Sequence, residues 1–86
     1  MNVRIPTPLR SYTANRKVVT AEGATVGEVV ADLDRQFPGI AFRMVDERGQ
    51  LRQHMVVWVE RERCRDMSTP TVGLDEIVIM QALSGG

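Results

Sequence analysis

Few residues in this chain of 86 are equipped for chemistry, and most of them stand alone. Cys64 is the single cysteine, which excludes an internal disulfide framework and a cysteine-rich zinc site. A nucleophilic thiol needs a paired base, and none is in view, so Cys64 reads as a small core residue. His54 has no second histidine to share a metal with and reads as a surface residue. The carboxylate pairs Asp46-Glu47 and Asp75-Glu76 are sequence neighbours that point in different directions, which suits solvated turns better than acid–base work. Arg61, Arg63 and Arg65 alternate with acids and read as a solvated edge. There remains the chain end, Leu83-Ser84-Gly85-Gly86. Residues without a Cβ let backbone approach a protein wall closely and take unusual angles. Alone, two terminal glycines are no more than a frayed end, so their weight depends on what precedes them.

What precedes them is one small domain. Val3 and Ile5 flank Arg4 before Pro6 and predict a short first strand. Thr7-Pro8 is turn material, and the stretch from Leu9 to Arg16 is expected to be loop. The β-branched run Lys17-Val18-Val19-Thr20-Ala21 predicts a second strand, in a hairpin with the first. Thr25 followed three residues later by Glu28 is a capping box. Val26, Val29, Val30, Leu33 and Phe37 then form one apolar stripe, which predicts a helix from about Val26 to Phe37, stopped by Pro38-Gly39. Ile40, Phe42 and Met44 are expected to add apolar contacts after it, before a polar turn at Asp46–Gln50. Met55–Val59 is the strongest strand, Glu60–Arg63 a turn or solvated edge, Met67–Leu74 irregular, and Ile77–Met80 the last strand. The economical solution is α+β: one main helix packed on one face of a mixed sheet of four to five strands, with the first and last strands parallel at its centre.

This order resembles the ThiS/MoaD family of ubiquitin-like sulfur carriers over nearly the whole chain. The resemblance rests on Val3-Arg4-Ile5-Pro6-Thr7-Pro8-Leu9-Arg10, on Glu22–Val29 entering the helix, and on Pro38-Gly39-Ile40 after it. Asp75-Glu76-Ile77 and the closing Ser84-Gly85-Gly86 complete it. Within the family it is most similar to the CysO type, which begins Ile-Pro-Thr and ends in two glycines. The resemblance implies a β-grasp domain over residues 1–82 and a flexible tail over 83–86. It also implies a MoeB/ThiF-like activating enzyme that uses ATP to adenylate the Gly86 carboxylate. Sulfur delivery then gives a thiocarboxylate, which a biosynthetic acceptor consumes to make cysteine or another sulfur-containing metabolite. The chain would be a protein substrate rather than an enzyme, binding no cofactor and no metal itself. Two positions depart from the family. Leu74 stands where a glycine usually precedes Asp-Glu, so that loop is expected to lack its left-handed residue, and Gln81 stands where proline is common.

Strand alternation separates the faces of the sheet. Met55, Val57, Val59, Ile77 and Ile79 should face the helix. Val56, Trp58, Val78 and Met80 should then form an exposed apolar patch near the tail, a docking surface for the activating enzyme and the acceptor. Lysine and arginine together number 11, as do aspartate and glutamate. That balance gives no reason to expect nucleic acid or a membrane surface as partner. The first residues carry no apolar run of signal-peptide length, and the expectation is a cytoplasmic protein, monomeric when free. The small subunit of molybdopterin synthase would use the same thiocarboxylate as a permanent subunit. A β-grasp adaptor would work through its sheet with no tail chemistry.

Overall fold

The computed structural model describes residues 1–82. The tail positions Leu83, Ser84, Gly85 and Gly86 lie outside the described residues. The strands are β1 (Asn2–Arg4), β2 (Val18–Thr20), β3 (Met55–Val59), β4 (Glu62–Cys64) and β5 (Glu76–Gln81). They form one sheet in the order β2-β1-β5-β3-β4. β1 and β5 run parallel, with Val3 opposite Ile77, and the other pairs are antiparallel. The expected β-grasp arrangement, with the first and last strands at the centre, is therefore present in five strands.

Helix α1 (Val26–Gln36) lays its stripe on one face of this sheet. Val26, Val29, Val30 and Leu33 are buried together with Val3, Met55, Val57, Ile77 and Ile79, and Phe37 packs at the margin. Each such side chain contributes about 1.5–3 kcal/mol when fully removed from water. The helix start is fixed from several sides. Thr25 Oγ1 accepts the Glu28 N–H at 3.2 Å, while Glu28 Oε1 accepts from Ala24 N–H at 3.4 Å. The N–H groups of Val26 and Gly27 donate to the carbonyls of Thr69 and Met67, at 3.0 and 2.8 Å. Those donors would otherwise be unsatisfied at a helix end. The irregular segment Met67–Thr71 is thus a clip on α1, anchored by the buried Thr71 hydroxyl donating to the Gly23 carbonyl at 2.7 Å.

Four expectations need correction. Ile40–Met44 is a second short helix, α2, with Ile40 and Met44 fully buried, whereas Phe42 points outward and is 72% exposed. One turn of helix puts residues four apart on the same side, so 40 and 44 share the core and 42 does not. The stretch expected as turn and loop contains a 3-10 helix, Thr7–Thr13, which buries Leu9 and Thr13. The loop before β5 does have a left-handed residue: Gly73 takes φ 84° one position before Leu74, inside a turn closed by Leu74 N–H to Thr71 O at 3.2 Å. Arg65 is no free edge charge. Its guanidinium donates to the carbonyls of Met55, Leu51 and Arg52 at 2.9–3.3 Å, tying the loop before β3 to the end of β4.

Candidate functional site

The central strand β5 carries the chain toward its end. Gln81 pairs with Met55, and Ala82 N–H donates to the His54 carbonyl at 2.7 Å. The point from which residues 83–86 depart is therefore hydrogen-bonded into the sheet, even though Gln81 replaces proline there.

The outer face of β3 and β5 brings the four predicted patch residues together. Val56 stands opposite Met80 and Trp58 opposite Val78. Exposure is uneven, which corrects the expected patch. Met80 is 48% exposed and Trp58 and Val78 are partly covered, but Val56 is only 6% exposed. Val56 also lies outside the cluster packed under α1, so it is buried on the opposite face. Strand order places arginines beside it. Arg63 pairs opposite Trp58, and alternation sets Arg65 on the same outer face beside Val56, where its guanidinium reaches the Met55 carbonyl. Trp58, Val78 and Met80 line a shallow depression of about 510 Å³, rimmed by Glu60, Arg61 and Glu76.

A larger cleft of about 850 Å³ lies on the other side of Val78 and Met80. It is bounded by the end of β1, the 3-10 helix, Lys17 and His54, and it includes Gln81 and Ala82 at the point of departure. Sequence reasoning gives no signal for it, because its walls come from segments far apart in the chain.

The remaining chemical candidates are structural. Cys64 is buried, and its thiol lies 3.2 Å from the Asp66 carbonyl and 2.9 Å from Thr69 Oγ1. His54 is exposed. Asp46 accepts the N–H groups of Arg48 and Gln50 at 2.9 and 3.0 Å, and the Gln50 bond foremost holds its carboxyl below the ordinary aspartate value. Asp66 is lowered likewise, chiefly by the Ser68 hydroxyl, and Asp32 chiefly by Arg35. Asp46 and Asp66 build turns, and Asp32 ties α1 to the Glu22 N–H. Glu76, expected in a solvated turn, instead opens β5 and pairs with Arg4 at 3.1 Å. Among the described residues no group of three or more His, Cys, Asp or Glu is placed to hold a metal ion, and no helix is long and apolar enough to cross a membrane.

A parallel central pair with one helix laid across the sheet and the chain end leaving from the middle strand defines a β-grasp, ubiquitin-like protein. The sequence profile of the ThiS family matches residues 3–86, and the chain belongs to that family. Among individual proteins it is similar to the sulfur carrier protein CysO of Mycobacterium tuberculosis, 34% identical over 91 aligned positions covering 100% of this chain and 98% of the relative. The crystal structure of M. tuberculosis CysO superimposes with a TM-score of 0.89 at 33% identity, covering 95% of this chain and 98% of that one. A chain in the crystal structure of the Amycolatopsis orientalis BexX/CysO complex gives 0.90 at 35% identity, covering 99% and 98%.

Proposed function

We propose that this protein is a sulfur carrier of the CysO type, with the carboxylate of Gly86 as its working group. A single observation carries the reading: the family match extends from residue 3 to Gly86, in a chain whose fifth strand occupies the centre of the sheet. A carboxylate repels nucleophiles because it is anionic. One of its oxygens attacks the α-phosphorus of ATP on an activating enzyme, pyrophosphate leaves, and an acyl-adenylate forms. Hydrosulfide from a sulfide-level donor then attacks the acyl carbon, the carbon–oxygen bond to AMP breaks, AMP leaves with that oxygen, and a thiocarboxylate remains. Gly85 and Gly86 leave the acyl carbon uncrowded, and Ser84 adds little bulk. Leu83 anchors the tail in an apolar pocket of the enzyme. The chain is the substrate of this sequence and supplies no catalytic group.

Trp58, Val78 and Met80 dock the activating enzyme and later the acceptor, with Val56 as the buried support beneath them. Similarity to CysO supports a carrier that is loaded and unloaded by separate proteins over a permanent subunit of molybdopterin synthase. The decisive test is intact-mass analysis of protein purified from its native host or incubated with its activating enzyme, ATP and a sulfur source. The expected result is a species in which sulfur has replaced one terminal oxygen, lost when Gly86 is removed. Protein that stays at its unmodified mass under these conditions overturns the reading.

A further inference from the structure

The cleft beside Ala82 differs in charge from the molecule as a whole. Arg4, Arg10, Lys17 and His54 line it and no aspartate or glutamate does, although the chain carries 11 basic and 11 acidic residues. Arg4 is engaged by Glu76, but among the described residues Arg10 and Lys17 make no salt bridge. The Arg10 side chain and the Lys17 backbone both bond to Ile5. Arg10 Nε donates to the Ile5 carbonyl at 3.1 Å, and the Lys17 carbonyl accepts the Ile5 N–H at 2.8 Å. The Arg10 guanidinium is thus held at the cleft, the Lys17 backbone is fixed beside it, and the same cleft is lined by Val78 and Met80. Like charges brought together repel unless an anion lies between them. The cleft is too large, at about 850 Å³, for one small ion to fill, and its apolar floor suits a side chain.

We propose that this cleft receives an acidic segment bearing one apolar anchor, supplied by the enzyme that activates the chain's carboxylate. The inference rests on the sulfur-carrier reading for the partner's identity and on the cleft alone for its chemistry. Position points to an enzyme that works on the chain end. Residues 83–86 span at most about 14 Å when extended, so a segment seated beside Ala82 lies within one tail length of the carbon that must reach ATP. Acidic residues facing Arg10 and Lys17 fix the approach, and the apolar anchor continues the contact onto Val78 and Met80. Charge complementarity of this kind chiefly sets encounter rate and orientation.

Two measurements test it separately from the tail chemistry. The first is an NMR titration of the isotope-labelled full chain with a short peptide of glutamates around one leucine. Shift changes should centre on Lys17, His54, Val78 and Met80, fade with added salt, and be lost in Lys17→Glu. They should persist when Gly85 and Gly86 are deleted, which keeps this result independent of whether Gly86 is ever activated. No binding, changes centred on Trp58 and Arg61, or equal changes with AMP or inorganic phosphate would each overturn the proposal. So would concentration-dependent shifts in the protein alone, which would mark a second copy as the occupant. The second is steady-state activation by the enzyme that thiocarboxylates the wild-type chain. Lys17→Glu should raise KM about tenfold with little change in kcat, and Lys17→Arg should restore it. An unchanged KM in Lys17→Glu counts against the cleft even where thiocarboxylate forms normally.

Discussion

The Ala82 N–H donates to the His54 carbonyl at 2.7 Å, one step beyond the Met55–Gln81 pair. The ladder of the central strands therefore continues to the last residue before the tail. Among the described residues the hydrogen-bonded ladder ends at that bond. Deleting Gly85 and Gly86 should change unfolding free energy by less than about 0.5 kcal/mol while abolishing sulfur incorporation. Urea denaturation beside intact-mass analysis checks both halves of the expectation.

Gly23 is held against the first turn of α1. A Cβ there would sit 2.6 Å from Val29 N and 2.8 Å from Glu28 C, both backbone atoms. Neither can move without shifting the helix. Gly23→Ala should cost roughly 1–3 kcal/mol, read as a fall in thermal midpoint of about 4–8 °C per kcal/mol for a domain of this size.

Arg65 satisfies three backbone carbonyls with one guanidinium. Hydrogen bonds to charged groups contribute about 1.5–3 kcal/mol, and a lysine cannot reproduce the planar fork. Arg65→Lys should therefore recover only part of the stability lost in Arg65→Ala. Chemical denaturation of the two variants measures the difference.

The two-residue turn between Val59 and Glu62 places both Glu60 and Arg61 at positive φ, 50° and 71°. Hairpin turns of this kind favour Asn-Gly, because side chains with a Cβ are strained there. Replacing the pair by Asn-Gly should stabilise the protein by about 0.5–2 kcal/mol. The thermal midpoint should rise accordingly.

Asp32, Asp46 and Asp66 all have folded-state pKa values lowered below 3.8. A carboxylate lowered on folding binds its proton less readily in the native state than in the unfolded chain. Its contribution is fully present above the unfolded value and is lost as pH falls through the folded one. Stability should be flat above about pH 5 and decline below about pH 4. Asp46→Asn, which removes the acceptor charge at the Arg48–Gln50 turn, should make that decline shallower in urea midpoints measured against pH.

How far the sequence announces this structure depends on the kind of signal each part leaves. Helix α1 is plain because a capping threonine and a five-residue apolar stripe agree. The strands β3 and β5 are plain because β-branched residues cluster in them. Helix α2 is hidden, since Ile40, Phe42 and Met44 alternate like a strand and five residues give periodicity little room. The 3-10 helix hides behind Thr7-Pro8, which signals a turn and leaves its continuation open. At the site, alternation places Val56, Trp58, Val78 and Met80 on one face correctly. It carries no information about what lies over that face, so the burial of Val56 is invisible. Arg65 and the basic cleft share one reason for escaping notice: their partners are backbone carbonyls and distant segments, which residue types do not encode.

The central position of the parallel β1–β5 pair sets the order of events at birth. Val3 lies at the start of the core and Ile77 is its mate, so the two cannot meet until every element between them has been made. Pairings this distant are slow to close. The first strand must therefore wait for the fifth before the middle of the sheet can close.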